Sequence, residues 1–474
     1  MVEILISQQG LTWSTSLIVV LVICGGYLLH CRRRLRNDAQ RKDEAIRLGI
    51  DRPLGQFPYI DPLRCTGCSA CILACPEGDV LGIVGGTAVV INGLRCIGIG
   101  ACEEACPVGA IKVGIGDLKS REDVPLLDDR LQTNLPGVFI AGELGGLSLV
   151  SNAVRQGRTA VASIAGQIAQ GSSVSSPSVL DLAIVGAGPA GLSAGLAAST
   201  AGLSYVILER EKDLGGTVLN YPRRKMVLTQ PVDLPPWGKI SKQSYEKEDL
   251  LTLFQQLADE ADLEIRFGEA VTGLARSNGH YLIESAGRTY PARHVLLALG
   301  RRGNPRKLGV PGEELPKVMY RLIDARSYRG QKALVVGGGD SAIEAAIALA
   351  RESANQVLLS YRKEKLVRIK QKNQKAIERL IAKGTVQPIF SSQVERITPK
   401  SVRLRVSSQK MTEIDNDYVF VSIGGKLPFD LLHKLGVRFG GEKPQSQTAK
   451  PPNPAESPIK DGRELSDRPA PGNR

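Results

Sequence analysis

The first hydrophobic feature is Leu11–His30, an uncharged and largely apolar run. As a helix it rises roughly 30 Å, the thickness of a bilayer's hydrocarbon core. Trp13 and Tyr27 stand near its ends, where amphipathic rings favour the interface, and Arg32, Arg33, Arg34 and Arg36 follow Cys31. The pattern predicts a transmembrane anchor over 1–31 with the N-terminus outside and the rest of the chain cytoplasmic, followed by a basic juxtamembrane linker over 32–57. A cleaved signal peptide is the competing reading. Against it, the basic cluster follows the apolar run instead of preceding it, and no A-x-A-like site comes after.

Further on, short apolar stretches alternate with small residues. Leu182–Val185 and Ala333–Val336 each read as a buried strand running into a glycine-rich turn and an alanine-rich helix; Tyr205–Leu208 and Val357–Leu359 read as the strands that follow. Asn152–Ile168 carries apolar residues at helical spacing. Glu442–Arg474, rich in Pro, Ser and charge, predicts a disordered tail over 441–474. The alternation predicts an α/β chain with two Rossmann-like dinucleotide-binding domains.

Composition narrows the class. At 474 residues there is room for two or three domains, each with its own core. Gly numbers 51 and aromatics are 4%, a balance that suits Gly-rich α/β units better than a fibrous or disordered chain. The net charge of +13 is concentrated in the arginines after Cys31 and in Arg362–Lys383. Dinucleotide phosphates, anionic lipid or an acidic protein would each use such charge. No nucleic-acid-binding motif accompanies it, so nucleic acid is not an expected partner.

Of nine cysteines, Cys24 and Cys31 belong to the span and its edge, and the rest lie between Cys65 and Cys106. Cys65, Cys68, Cys71 and Cys75 form C-x2-C-x2-C-x3-C followed by Pro76, the run that holds a 4Fe–4S cluster in bacterial-type ferredoxins. Zinc motifs pair cysteines across longer loops, and a disulfide framework does not suit a reducing cytoplasm. The run Cys96, Cys102, Cys106, Pro107 resembles the same ferredoxin repeat, with Ile99 where its second cysteine belongs. In two-cluster folds the fourth cysteine of each run serves the other cluster. The resemblance therefore implies that Cys65, Cys68, Cys71 and Cys106 hold a 4Fe–4S cluster. Cys75, Cys96 and Cys102 offer only three thiolates, which the resemblance associates with a 3Fe–4S cluster; a labile cubane with a non-protein fourth ligand and no cluster at all are the alternatives. A small α+β ferredoxin-like domain is expected over 58–116.

Gly186, Gly188 and Gly191 form G-x-G-x-x-G directly after a strand, where glycines permit the tight turn, the approach of a pyrophosphate and close helix packing. Glu209 ends the next strand, where a carboxylate can accept ribose hydroxyls, and Gly216 follows in a second backbone turn. The second unit has Gly337 and Gly339 in G-x-G-x-x-A, with Ser341 beside them. Arg362 stands at the end of its next strand, where an NAD site carries an acid. A cation there pairs with a 2′-phosphate, so NADP is expected over NAD.

These two units resemble the thioredoxin-reductase-like family of two-dinucleotide flavoproteins over roughly 181–440, which implies FAD at the first site and NAD(P)H at the second. In that family a T-x-x-P-G-V-F-A-x-G-D segment and a helix complete the FAD domain at the C-terminus. Here the matching stretch, Thr133 to Glu143 with Gly142 and with Glu143 for the usual aspartate, lies upstream. The expected organisation is a circularly permuted FAD domain: 117–170 its C-terminal half, 171–180 a linker, 181–305 its N-terminal half, 306–422 the NAD(P)-binding domain and 423–440 a return. A decayed remnant is the alternative reading of 117–170.

The family's thioredoxin reductases carry Cys-x-x-Cys ahead of the second glycine motif; here Val318–Arg329 has no cysteine, so no local dithiol is available for thiol–disulfide exchange. The pattern is similar to that of cysteine-free relatives acting as ferredoxin–NADP reductases. It implies a membrane-anchored oxidoreductase linking NAD(P)H, FAD and iron–sulfur clusters to a redox protein partner whose identity the sequence does not name. No acid–base catalytic residue is nominated, and a homodimer is compatible with the pattern. The alternatives are a reductase of an external disulfide or small oxidant, and a flavin and iron–sulfur redox sensor.

Overall fold

The computed structural model describes residues 2–441 apart from 52–54, 116–120, 171–177, 302–303, 353, 368, 408–409 and 427. Most of the expected linker over 171–180 and of the tail over 441–474 lies outside the described residues.

The chain opens with one long helix, α1 (Val2–Leu48). Its apolar stretch, Leu17 to Leu29 among others, stays exposed, and the helix is long and apolar enough to cross a membrane. The segment read as a linker is helical as far as Leu48. The reason is tertiary. Asp38 is buried and accepts from the Ile83 N–H at 2.9 Å, Arg41 pairs with Asp38 and Asp79, and Lys42 donates to the Val90 carbonyl at 2.8 Å.

Those partners belong to a small α+β module. Strand β1 (Gln56–Ile60) is followed by helix α2 (Ala70–Ala74), the hairpin β2 (Leu81–Val84) and β3 (Thr87–Val90), helix α3 (Ala101–Glu104) and β4 (Ile111–Ile115), which returns antiparallel to β1. Left-handed residues introduce both short helices, Gly67 and Ser69 before α2, Gly98 and Gly100 before α3. The two cysteine runs thus fold alike. Cys71, Val80, Leu81, Ile83, Ala88 and Ile111 form the core between them.

The larger α/β body begins with β5 (Val138–Ile140) and helix α4 (Val150–Gln170), then β6 (Leu180–Val185), α5 (Pro189–Thr200), β7 (Tyr205–Glu209) and α6 (Lys247–Glu260). In the sheet, β7 and β6 run parallel to the end of the long strand Arg288–Leu297, whose Val295–Leu297 also pairs in parallel with all of β5. The upstream strand is therefore a fully buried member of this sheet, with Val138, Phe139 and Ile140 at 0% exposure. Helix α4 lies on α5, with Gly157 facing the Ala190 carbonyl so closely that a Cβ would collide, and the Ser193 hydroxyl donating to the Val154 carbonyl at 2.8 Å. Late residues meet the same segment: Leu126 N–H donates to Arg438 O and Gly440 N–H to Val124 O, both at 2.9 Å.

The remaining unit is continuous in sequence. Its parallel sheet runs Val318–Met319, Tyr418–Val421, Lys332–Val336, Gln356–Ser360, Val386–Ile389, with α7 (Asp340–Arg351) and α8 (Gln371–Ala382) packed on it. The short strands Asn304–Pro305 and Gly425–Lys426 pair where the chain passes between the two bodies.

Candidate functional site

The first glycine loop closes the carboxyl end of β6. Gly186 adopts φ +107°, its N–H donates to Leu208 O at 2.8 Å, and a Cβ there would stand 2.6 Å from Ala298 O. A Cβ on Gly191 would run into the Gly186 carbonyl, so α5 can start this close to the strand only with glycine present. Gly216, at φ +54°, backs onto Gly188: a Cβ on it would lie 3.0 Å from the Gly188 Cα. Glu209 is buried, and its carboxylate accepts from Ala187 N–H at 2.7 Å and Glu211 N–H at 2.9 Å. A carboxylate has about four acceptor sites, so half remain for ribose hydroxyls. Backbone donors without side chains, beside a fixed acid, fit the adenosine diphosphate half of FAD.

Gly142 joins this end from the upstream segment. A Cβ on it would stand 3.1 Å from the Ala190 Cβ, and its N–H donates to Gln156 Oε1 at 2.7 Å. Glu143, half-buried, begins a single 3-10 turn, and the N-terminus of α4 follows.

In the second unit Gly337 has φ +143°, donates to Ser360 O at 3.0 Å, and would press a Cβ into Ser422 O. Gly338 lies against the Tyr361 ring. Gly339 caps α7, with open space where its Cβ would be, and Ser341 is exposed on the first turn. Asp340 is occupied by Lys370 N–H at 2.9 Å and Asn373 Nδ2 at 2.6 Å, which draws its charge toward α8. The free N–H groups of α7 suit a phosphate. Arg362 is exposed just past the strand Gln356–Ser360 and makes no hydrogen bond or ion pair among the described residues. A separate hollow lined by Lys332, Asn355, Gly384 and Asn416 opens at the amino-terminal edge of the same sheet. Ligands of parallel sheets bind at the opposite, carboxyl edge, so this hollow is not part of the site.

In the small module, Cys65, Cys68, Cys71 and Cys106 line one hollow together with Gly67, Ala88, Val108 and Ile111. Ala88 N–H donates to Cys65 Sγ at 3.3 Å and Ala110 N–H to Cys106 Sγ at 3.2 Å. Burial opposes ionisation of Cys106, but four backbone N–H donors, Ala110 first, outweigh it and lower its pKa. Cys75, Cys96 and Cys102 face one another: burial pushes the Cys102 thiol up to about 11, and the charges of Cys96 and Cys75 add to it. Iron held there would reverse that penalty by stabilising thiolate. Among the described residues no three of His, Cys, Asp and Glu close tightly on a single ion, whereas thiolates around a cluster stand further apart.

The three-cysteine run is the one that faces the first dinucleotide unit. Gln230, left-handed at φ +58°, donates through Nε2 to Ile99 O at 3.1 Å. The adjacent Thr229 O accepts from Ser151 N–H at 3.1 Å, in the first turn of α4. Gln56 Oε1 accepts from Asn152 Nδ2 at 3.0 Å and stands within 2.6 Å of where a Gly98 Cβ would be. The module's other side meets the second unit, where Glu77 Oε2 accepts from Gln371 N–H at 3.0 Å and Arg95 bonds Gln374. Sequence reasoning missed Gln230, Gln56 and Glu77, whose partners are far along the chain. Gly157, one of two glycines inside the helical pattern of α4, was an available signal of close packing.

The pyridine nucleotide-disulphide oxidoreductase family model matches residues 183–450, and a 4Fe–4S dicluster domain model matches 57–107. Similar proteins include a ferredoxin–NADP reductase of Ignicoccus hospitalis, 29% identical over 56% of this chain and 83% of its own length. A bacilliredoxin reductase of Bacillus subtilis is 26% identical over 55% and 81%. Among solved structures, the bacillithiol disulfide reductase of Staphylococcus aureus superposes with a TM-score of 0.51 at 25% identity, covering 55% of this chain and 80% of that one.

Proposed function

Since the chain belongs to the pyridine nucleotide-disulphide oxidoreductase family and carries a 4Fe–4S dicluster domain, we propose that it is an NADPH-linked flavoenzyme that exchanges single electrons with a redox protein through its own iron–sulfur module. FAD held here would supply hydride exchange with a nicotinamide and single-electron exchange with a cluster. The protein's part is placement. Gly186, Gly188, Gly191 and Gly216 leave room for the FAD pyrophosphate, Glu209 takes the ribose, and Gly142, Glu143 and the α4 N-terminus face the flavin end. Gly337, Gly339 and Ser341 receive the second dinucleotide, with Arg362 for its 2′-phosphate. Cys65, Cys68, Cys71 and Cys106 hold a 4Fe–4S cluster; Cys75, Cys96 and Cys102 hold a 3Fe–4S cluster.

The observation that carries this reading is the seating of the Ile99 loop on Gln230 and of Gln56 on Asn152, at the flavin end of α4. A permuted FAD domain is supported by β5 inside the sheet and by the return segment meeting Val124 and Leu126. A membrane anchor with the N-terminus outside is supported by the exposed apolar stretch of α1 and the arginines after it.

Anaerobically purified full-length protein should reduce a one-electron artificial acceptor with NADPH at enzymatic rates. Electron paramagnetic resonance should show an oxidised-state 3Fe–4S signal and a reduced-state 4Fe–4S signal, and Ile99→Cys should turn the first into a four-iron signal. Two four-iron clusters in the natural protein would overturn the cluster assignment. Absence of NADPH-dependent turnover would leave a sensor.

A further inference from the structure

The two cysteine sites of the iron–sulfur module look in different directions. The three-cysteine side rests on the dinucleotide bodies. Ile99 and Gln56 meet the first; Glu77, Arg95 and Asn92 meet the second, where Asn92 Nδ2 donates to Val367 O at 3.4 Å. On the four-cysteine side Cys68 is exposed, and Gly67 lies so close to the Gly86 carbonyl that a Cβ would collide. Gly85 and Gly86 form the turn between β2 and β3, and a Cβ on either would meet nothing within 4 Å. The four-cysteine site thus stands at the tip of this hairpin. Helix α1 gives the tip a direction. Arg41 pairs with Asp79 while Asp38 accepts from the Ile83 N–H, so α1 and β2 run antiparallel and the tip points back toward the start of α1. The strand from Ile83 to the turn covers roughly 7–10 Å, and the same length of α1 leads from Asp38 back past Arg36 and Arg34 to about Arg32. Residues 32–37 are exposed, and the exposed apolar stretch lies just ahead of them.

We infer that the site of Cys65, Cys68, Cys71 and Cys106 is the module's outer terminal and lies against the membrane surface, where it serves a membrane protein carrying a one-electron group at that surface. The inference rests on the electron-transfer and anchor readings above. Arginines that follow a span settle among the headgroups and anionic lipid, which sets the height of the hairpin tip. A soluble carrier would have to fit between the tip and the lipid; a membrane protein already has its surface there. A lipid-dissolved quinone takes up two protons with two electrons. Besides its cysteines the hollow is lined by Thr66, Gly67, Ser69, Ala88, Val108 and Ile111, none of which titrates near neutral pH. A one-electron acceptor needs no such group. NADPH supplies two electrons as a hydride, and two successive transfers at the four-cysteine site pass them on, each oxidising the module and reducing the acceptor by one electron, with no bond made and no proton moved at the site.

The test uses the full-length protein in phosphatidylcholine liposomes containing a lipid with a gadolinium chelate on its headgroup. The gadolinium spin should raise the microwave power that half-saturates the reduced 4Fe–4S signal, and raise that of the oxidised 3Fe–4S signal less. A second chain carries eighteen added helix-forming residues between Arg36 and Asn37; five turns lift the module by about 27 Å and keep its rotational setting. The lifted chain should keep its iron and FAD, reduce dissolved cytochrome c with NADPH at the natural rate, and lose the gadolinium effect. With cytochrome c tethered to the liposome surface through a nickel-chelating lipid, the natural chain should outpace the lifted one by about tenfold or more, because the lift forbids simultaneous engagement. Should the lifted chain lose iron, the gadolinium measurement on the natural chain decides alone. A 4Fe–4S signal that gadolinium lipid leaves unchanged, equal rates of the two chains on tethered cytochrome, or faster reduction of a lipid-dissolved quinone than of the tethered cytochrome overturns the proposal. A natural chain that cannot reduce dissolved cytochrome c with NADPH removes the electron-transfer reading, and one that does not enter liposomes removes the anchor; either takes this proposal with it.

Discussion

The two dinucleotide units follow one local plan, strand, glycine turn and helix, yet they are assembled differently. Every strand of the second unit's parallel sheet lies between Val318 and Val421. The first unit's sheet takes β5 from upstream of its own glycine loop, and the segment leading into β5 is met by residues 436–440 from the far end of the described chain. The features proposed to recognise phosphate and ribose are local in both, because they need only a turn, a helix start and the tip of the next strand. The rest of the first unit's sheet is long-range, since β5 reaches it from upstream of the glycine loop.

The largest effect should come from breaking that long-range half. A chain spanning 178–441 lacks β5 and α4, whose Val138, Phe139, Ile140, Val161 and Ile164 are all within the cores. Each such side chain contributes roughly 1.5–3 kcal/mol on burial, and losing several approaches the ~5–15 kcal/mol that holds a domain together. This chain should fold poorly and retain no FAD after gel filtration, and adding 117–170 as a separate chain should restore both circular dichroism and flavin absorbance. Stoichiometric, tightly held FAD in 178–441 alone would show that the upstream segment is not the missing half.

The second unit differs at the tip of its strand, with exposed Arg362 where the first has buried Glu209. Arg362→Ala should remove the preference for NADPH over NADH. Charge-assisted bonds of about 1.5–3 kcal/mol correspond to roughly tenfold to a hundredfold in the ratio of the two kcat/KM values. NADH kinetics should be nearly unchanged. A ratio that does not move would separate Arg362 from the 2′-phosphate.

The same contrast explains what could be read from sequence. The α/β class, the family and the iron–sulfur module follow from spacings of a few residues, because a glycine turn or a C-x2-C-x2-C run is a local geometric demand. The sharing of one hollow by Cys106 and the first three cysteines is visible only through the family's crossed pattern, yet it too depends on a fixed module. Nothing local marks Gln230, whose partner Ile99 sits 131 residues away, or Asn92, 275 residues from Val367. The helical continuation of α1 to Leu48 was unreadable for the same reason: Asp38, Arg41 and Lys42 look like a solvated basic stretch until Ile83, Asp79 and Val90 are set against them.

The smallest expected effect probes the seam between upstream segment and FAD body through Asp123. Its carboxylate accepts from Arg121 at 2.7 and 2.9 Å and pairs with Arg301 of the main body, whose Nη2 also donates to the Asp123 carbonyl at 3.0 Å. The hydrogen bond from Arg121, with the charge of Arg301 added and burial opposing, holds this carboxyl below the usual carboxylate range. A depressed folded-state pKa stabilises the fold above the unfolded value of about 3.9 and ceases to do so as pH falls through the folded value. Asp123→Asn should therefore lower the temperature of FAD release by a few degrees or less at pH 6, since a side chain 43% exposed is screened by water. Natural and variant proteins should converge only at a pH below the depressed folded-state value. A difference that persists undiminished at that pH would mean that packing at the seam, and not the ion pair, was disturbed.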